Sequence, residues 1–504
     1  MQQYVIGVDH GGTSSKAVIF DLKGQVIASA KQSMSMQTPK PGHTERDMEQ
    51  LWQMNCQVIR EALAQSGLKG EQIAAVSFSG HGKGLYLWGK DGKPARPGIV
   101  STDSRAHRVV EAWYADGTAQ KAYPLIHQEV LTSQPVALMK WLKTHEPETL
   151  QNTRYILGVI DYVRFRMTGE AWGEITNMSG SGLVNLSTRG YDDRILACFG
   201  LEDIKDMLPP LVNSAQVAGS VSAECAALTG LPEGTPVAAG MFDIDACAIG
   251  MDITDDRRLA VIAGTWAINE YIARQPVTDG SVKMNSLYCL PGYYLLEECS
   301  PTSASNYDWF LGTFMEKAAK AEGQNLYAWA NALVSSVRPD EQQMVFLPYL
   351  YGGIDDARTK SVLAGMESWH SRAHVLRAVC EGIVFGHRMQ VERLQKSRAV
   401  PAQAVRLAGG VVRAEGWVQM FADILKLPVE TIDVEELGAL GAAMAAAVAV
   451  GLYQDLPSAA QAMVRVAKVY RPNAALSPAY DEKFQRYTAL EAAMHLMYTG
   501  SERR

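Results

Sequence analysis

A carboxylate followed by a segment rich in glycine and hydroxyl groups lies near the start of the chain. The segment comprises Asp9, Gly11, Gly12, Thr13, Ser14 and Lys16. Glycine has no Cβ and tolerates positive φ, so backbone N–H groups here can approach a phosphate closely. A carboxylate at this place can hold a hydrated Mg²⁺ ion beside the phosphates. The pattern predicts a phosphate-binding turn, although by itself it fits an ordinary hairpin turn equally well.

Two later glycine turns resemble the first. Gly264 and Thr265 interrupt the apolar segment 259–273, and Gly409 and Gly410 follow the apolar pair Leu407–Ala408. Each is a weak signal alone, but ligands of α/β folds bind beyond the carboxyl ends of strands. Together the turns predict that phosphate is held between two similar halves of the chain.

Two acids follow another strand-like segment. Asp243 and Asp245 come after 236–242, where a strand-to-helix turn would place a carboxylate at the mouth of a cleft. A kinase acting on an alcohol needs such a group to accept the hydroxyl proton. Both acids could instead belong to the helix N-terminus, where acids are common.

Four polar residues follow predicted strands in the first half. They are His81, Lys83, Asp103 and Arg105. Convergent donors and acceptors at such places suit a polyhydroxylated ligand, whereas each residue alone could lie in a solvated loop. Asp103 and Arg105 could hold adjacent hydroxyl groups of one sugar.

Alternating strand and helix patterns position these residues. Residues 4–20 predict two strands joined by the first turn, 48–63 a helix with one apolar face, and 72–79 a buried strand. Residues 437–452 are almost all small and apolar and predict a packed, buried helix rather than a membrane span. This alternation indicates an α/β protein with buried sheets.

Composition narrows the function classes. The 504 residues carry a net charge of −7 without a basic run, so nucleic acid is not an expected partner. Seven scattered cysteines without a CxxC pair indicate free thiols in a reducing cytoplasm. The chain begins with a strand pattern, so neither a signal peptide nor a membrane partner is expected. The sequence leaves open whether the protein forms a homodimer.

Several ordered segments together resemble the FGGY carbohydrate kinases. They are residues 41–47 (PGHTERD), 133–145 (SQPVALMKWLKTH), 161–170 (DYVRFRMTGE), 346–350 (FLPYL) and 436–443 (ELGALGAA). The match departs from the family at Leu138, often lysine, and at Trp266, usually serine. The family's GxRxP sequence is replaced by residues 353–358. The loops 80–84, 102–106 and 300–303 most resemble the branch of bacterial L-xylulose (3-keto-L-gulonate) kinases.

This resemblance implies two actin-like (ribonuclease H-like) ATPase domains around a central cleft. The expected domains are 1–250, with the sugar site and the catalytic base, and 251–504, with the ATP site. Asp243 matches the base, although Met241-Phe242 replaces the usual glycine before it and leaves Asp245 as an alternative. Asp9 and Asp243 would hold Mg²⁺.

The expected reaction is ATP-dependent phosphorylation of a sugar or polyol hydroxyl. The expected substrate is a ketopentose such as L-xylulose or D-xylulose. Alternatives are another polyol or sugar acid (glycerol, erythritol, ribulose or gluconate) and a non-catalytic nucleotide switch like actin or Hsp70.

Overall fold

A computed structural model describes residues 3–356 and 358–499. The first half contains the strands β1 (Tyr4–His10), β2 (Ser14–Asp21), β3 (Val26–Ser33), β4 (Glu45–Arg46), β5 (Ile73–Gly80), β6 (Tyr86–Gly89), β7 (Gly98–Ile99), β8 (Thr153–Leu157), β9 (Gly173–Glu174), β10 (Val184–Asn185), β11 (Gly190–Tyr191), β12 (Leu211–Val212), β13 (Val217–Ser220), β14 (Pro236–Ala238) and β15 (Met241–Phe242). Its helices are α1 (Met48–Ser66), α2 (His107–Ala115), α3 (Thr118–Ile126), α4 (Pro135–His145), α5 (Pro147–Asn152), α6 (Val159–Thr168), α7 (Ile175–Ser179), α8 (Asp193–Phe199), α9 (Ala223–Thr229) and α10 (Asp243–Gly250).

The second half continues the alternation. Its strands are β16 (Arg258–Ala263), β17 (Ala267–Ala273), β18 (Met284–Leu287), β19 (Tyr294–Ser300), β20 (Val345–Leu347), β21 (Val362–Ala364), β22 (Ala404–Ala408), β23 (Val429–Ile432) and β24 (Val466–Tyr470). Its helices are α11 (Ser305–Phe310), α12 (Glu316–Ala321), α13 (Leu326–Ser335), α14 (Arg372–Lys396), α15 (Glu415–Leu425), α16 (Leu437–Ala449), α17 (Leu456–Met463) and α18 (Ser477–Thr499). A π-helical turn at Leu311–Met315 joins α11 to α12.

Each half is built on a mixed seven-stranded sheet. The first has the order β13-β14-β5-β1-β2-β3, with β15 also on β5, and the second has the order β18-β19-β17-β16-β22-β23-β24. In each, an antiparallel hairpin (β1–β2 or β16–β17) gains a parallel strand (β5 or β22) beside its first strand. The predicted α/β class and the internal repeat are therefore confirmed.

The helices α10 and α16 fill the space between the two sheets. In α16, the predicted apolar helix, every residue from Leu437 to Ala447 is buried. Close backbone approach explains its glycines: a Cβ on Gly441 would lie 2.2 Å from the Ala246 carbonyl oxygen, and one on Gly7 would lie 1.8 Å from that of Ala439. This tight packing fixes the two halves around one cleft.

Candidate functional site

The first glycine turn lies at the cleft end of the β1–β2 hairpin. Asp9 pairs in register with Lys16, and Gly11, Gly12 and Thr13 form the turn between the strands. The predicted hairpin is thus confirmed. Lys16 Nζ forms an ion pair with Glu436, the residue before α16. The turn is therefore attached to the second half by a charge pair.

Asp9 lies against the N-terminus of α16. Its carboxylate accepts a hydrogen bond from Ser79 Oγ. A Cβ on Gly438 would come within 3.0 Å of Asp9 Cγ, so glycine is what allows this approach. Burial raises the pKa of Asp9, and the Glu436 carboxylate acts in the same direction. A cation placed here would relieve that electrostatic cost.

The two candidate base residues occupy different environments. Asp243 begins α10 and is partly exposed, whereas Asp245 is 0 % exposed and accepts a hydrogen bond from the Cys289 backbone N–H at 2.9 Å. Burial, followed by the charge of Asp9, raises the pKa of Asp243 to about 7. Burial raises the pKa of Asp245 well above its ordinary value. The partial exposure of Asp243 and its pKa of about 7 therefore favour Asp243 over Asp245 as the base.

The side of the cleft that is predicted to bind the sugar has a cation from the first half and an acid from the second. Lys83 follows β5 with φ 61°, and no hydrogen bond or ion pair holds its side chain among residues 3–356 and 358–499. Glu297 lies on β19 and is 6 % exposed. The charges of Lys83 and Glu297 both act on Asp243, which places all three around one polar space. Such a space can bind a polyhydroxylated ligand.

His81 and the Asp103–Arg105 pair, the other residues predicted to bind the sugar, are already hydrogen-bonded within the chain. His81 is buried, and its Nε2 lies 3.1 Å from the Tyr86 hydroxyl. Arg105 Nη2 donates to Asp103 Oδ2 at 2.8 Å, and Asp103 also accepts from the Thr44 backbone N–H at 2.6 Å. The two predicted sugar ligands are thus held by each other, which suits residues that shape a loop.

The other two glycine turns lie at the same end of the second sheet. β16 and β22 are parallel, with Ile262 opposite Ala408, so the turns that follow them are neighbours. Gly409 has φ 100°, and a Cβ there would lie 2.2 Å from the Ala263 carbonyl oxygen. By contrast, open space faces Gly410 and Gly264 within 4 Å of a Cβ position. These turns can admit a ligand at Gly410 and Gly264, while Gly409 is needed for packing.

Two cavities extend from the third turn. One of about 250 Å³ is lined by Gly409, Gly410 and residues 435–437. A second of about 470 Å³ includes Arg413 and residues 414–417 among its walls. Both include Arg413, so an elongated ligand held at the turn has adjoining space for its other end.

Acids on two strands of the second half are functional candidates that the sequence patterns missed. Glu270 and Glu297 face each other across β17 and β19. Both Glu270 carboxylate oxygens are buried, and no described residue forms a hydrogen bond with them. Burial raises the pKa of Glu270 well above its ordinary value. The sequence did contain a signal for these two acids, because each is a charged residue inside an apolar strand segment (residues 267–273 and 294–300).

The remaining expectations concern cysteines and membranes. The cysteines at 56, 198, 225, 247, 289, 299 and 380 are free thiols, as predicted. In the part of the chain that the structure describes, no helix has the length and apolar character needed to cross a membrane.

Similar proteins agree with this architecture. Residues 4–250 match the N-terminal domain, and residues 259–450 the C-terminal domain, of the FGGY family of carbohydrate kinases. The L-xylulose/3-keto-L-gulonate kinase of Escherichia coli (strain K12) is 37 % identical over 496 residues, covering 98 % of each chain. The xylulose kinase of Bacillus subtilis (strain 168) is 29 % identical over 496 residues, covering 96 % of each chain.

A solved structure shows the same arrangement of both halves. Ligand-bound xylulose kinase from Lactobacillus acidophilus superposes with a TM-score of 0.90 at 25 % identity and covers 99 % of each chain. The fold is therefore the actin-like ATPase fold of sugar kinases, and ATP is the phosphoryl donor that the family implies. The chain belongs to the FGGY family of carbohydrate kinases.

Proposed function

We propose that this kinase transfers the γ-phosphoryl group of ATP to a terminal hydroxyl of a ketopentose, with L-xylulose or D-xylulose as the best substrate. The observation that carries the proposal is Asp243, a partly exposed carboxylate between Lys83 and Glu297. The relatives named L-xylulose and xylulose kinases cover nearly the whole chain and support the same substrate class.

In the proposed reaction Asp243 accepts the proton of the attacking hydroxyl. A base works best when its pKa lies near the operating pH, and the pKa of Asp243 is raised to about 7. Lys83 donates to one sugar oxygen, and Glu297 accepts from a hydroxyl on the opposite wall. Groups that pair with particular hydroxyls discriminate strongly against sugars that lack them.

His81, Asp103 and Arg105 form the rest of the proposed sugar side. Asp103 and Arg105 are buried and paired, so we assign them to holding the loop that shapes the pocket. His81 packs on Tyr86 under the same pocket. This replaces the expectation that Asp103 and Arg105 each grip a hydroxyl group directly.

The proposed ATP site uses the three glycine turns. Its residues are Gly11, Gly12, Thr13, Ser14, Lys16, Gly264, Thr265, Gly409 and Gly410. Asp9 and Asp243 would hold Mg²⁺ through water, since Asp9 is close enough to raise the pKa of Asp243 and two neighbouring carboxylates suit a divalent cation. Bound Mg²⁺ would neutralise charge on the phosphates. Domain closure would exclude water from the transfer.

We assign the base and most of the sugar pocket to residues 1–250 and most of the nucleotide pocket to residues 251–504. A cytoplasmic location is proposed because ATP is available there and the free thiols suit a reducing compartment. Measuring the mass of the protein in solution decides whether it is a monomer or a homodimer.

A coupled ADP-release screen tests the proposal. The substrates are D- and L-ketopentoses, pentitols, erythritol, glycerol and gluconate, each with ATP and MgCl₂. We expect the highest kcat/KM with a ketopentose and a much lower value with glycerol. If glycerol or gluconate is best, the pentulose assignment fails. If no sugar accelerates ADP release, the proposed phosphorylation fails altogether.

A further inference from the structure

A buried arginine without an ionic partner lies behind the first glycine turn. Arg46 is 1 % exposed, and its Nη2 donates to the carbonyl oxygens of Gly11, at 3.3 Å, and of Gly12. In the part of the chain that the structure describes, its Nε has no hydrogen-bond partner. Within residues 3–356 and 358–499, no carboxylate forms an ion pair with this guanidinium. Burying a charge without a partner is costly, so the site is short of an anion.

The acids beside Arg46 in sequence are engaged elsewhere. Glu45 accepts from both Arg96 and Arg105. Asp47 caps α1 by accepting from the Gln50 backbone N–H at 2.8 Å. Neither acid therefore neutralises the buried guanidinium.

The groups that do face Arg46 are neutral. Burial, followed by the Arg46 charge, lowers the pKa of His10 and of His81 to about 3. The Tyr86 hydroxyl also lies within reach of this charge. The positive charge of Arg46 thus remains uncompensated next to the turn.

The peptide geometry directs N–H groups of the turn to the side opposite Arg46, where an anion can bind. The structure contains no cis peptide bond among the described residues, so each N–H points away from the preceding carbonyl. Because the Gly11 and Gly12 carbonyls face Arg46, the Gly12 and Thr13 N–H groups face away from it. Among the described residues nothing accepts a hydrogen bond from these two amides. Two free amides backed by a buried cation form an anion site.

We propose that Arg46 is a positioning residue for the phosphoryl groups of the nucleotide. It holds the two carbonyls so that the Gly12 and Thr13 amides face the phosphates, and its charge attracts them from behind the turn. This inference rests on the proposed function, because that function places the phosphates at this turn. Arg46 does not touch the nucleotide itself.

The test compares the affinities of ligands that differ only in phosphate number. Adenosine, AMP, ADP and ATP are titrated by calorimetry, with MgCl₂ present, into the wild-type protein, Arg46→Gln and Arg46→Lys. For Arg46→Gln we expect ATP binding to weaken by roughly ten- to a hundredfold, since hydrogen bonds to charged groups are lost. The loss should be smaller for ADP and within about twofold for adenosine. Arg46→Lys, which keeps the charge, should recover part of the ATP affinity.

Arg166→Gln is the matched control. Arg166 lies in the same domain and, like Arg46, is an arginine beside α1, but Glu49 already neutralises it. Its replacement should leave all four affinities unchanged.

The outcomes separate this inference from the proposed function. Equal weakening of all four ligands, or no weakening, in a folded Arg46→Gln would overturn it. Should Arg46→Gln not fold, Arg46→Lys decides: wild-type ATP affinity in that variant would show that the two-carbonyl contact has no positioning role. If the phosphate-number dependence is found but no sugar is phosphorylated, the proposed function fails and the role of Arg46 stands.

Discussion

The two strand–turn–strand hairpins share a topology but differ in charge. The first, β1–β2, has Arg46 behind its turn and Lys16 beside it, in an ion pair with Glu436. The second, β16–β17, is held by neutral contacts: Gly264 N–H donates to the Trp266 carbonyl at 3.2 Å, and Ser305 Oγ donates to the Thr265 carbonyl at 3.0 Å.

This difference suggests a division of labour within a repeated fold. The first hairpin also carries Asp9 and lies close enough to Asp243 for their charges to interact. A cationic turn beside the base suits the phosphoryl group that is transferred, whereas a neutral turn suits the phosphates that stay on the nucleotide. The predictions below test that division.

The largest effect is expected at the base beside the first hairpin. Asp243→Asn should lower kcat by roughly 10²–10⁴-fold, because the sugar hydroxyl loses its proton acceptor. Asp245→Asn is the control, since Asp245 is fully buried and an amide has nearly the same shape as its carboxyl group and keeps an oxygen for the Cys289 N–H. Steady-state kinetics with the best sugar measures both. Near-normal turnover in Asp243→Asn together with loss in Asp245→Asn would assign the base to Asp245.

Parallel substitutions in the two turns compare the hairpins directly. Gly12→Val and Gly264→Val should both fold, because nothing lies within 4 Å of either Cβ position. Each should weaken ATP binding by about 1–3 kcal/mol through steric conflict with a phosphate. Gly12→Val should in addition lower kcat at saturating ATP, and Gly264→Val should not. Equal kcat losses in the two variants would contradict the division of labour.

Neighbouring glycines of the third turn distinguish binding from packing. Gly410→Val should raise the KM for ATP in a stable protein, because its Cβ enters open space. Gly409→Ala should instead lower the melting temperature, since φ is 100° and its Cβ would meet the Ala263 carbonyl oxygen. Thermal denaturation and ATP titration of both variants give the comparison. Unchanged ATP affinity in folded Gly410→Val would place the nucleotide elsewhere.

A moderate effect is expected on the sugar side. Asp103→Ala removes one of the two carboxylates paired with Arg105 and the acceptor of the Thr44 N–H, so the loop should lose its shape. We expect the sugar KM to rise by about tenfold, equivalent to about 1.4 kcal/mol, with ATP affinity nearly unchanged. An equal rise in the KM for ATP would show that the loop serves both substrates.

The smallest effects are expected at the Lys16–Glu436 pair. Both side chains are partly exposed, so breaking the pair should change the free energy of unfolding by less than about 1 kcal/mol. Lys16→Met should weaken ATP binding, whereas Glu436→Gln should preserve or strengthen it by freeing Lys16 for a phosphate. Chemical denaturation and ATP titration measure both quantities. Equal weakening in the two variants would mean that the pair itself holds the site.

The sequence by itself determined the elements and the main chemistry. Short apolar runs interrupted by glycine predicted the hairpins at residues 4–20 and 259–273, and both were found. The 3.6-residue period of 48–63 predicted α1, observed as Met48–Ser66. Such signals are local, since they depend on backbone freedom and on which side of an element is apolar.

Tertiary structure decided which charges are free. The sequence predicts that Asp103 and Arg105 bind the sugar, and only the fold shows that they are paired with each other and buried. Glu297 lies more than fifty positions after Asp243 in sequence, yet β19 brings its charge to the same space. Arg46 lies in a segment that resembles the family, but only the fold places it behind the Gly11–Gly12 turn, where no carboxylate among the described residues pairs with it. Pairing and desolvation depend on contacts between distant residues, and those contacts exist only once the chain has folded.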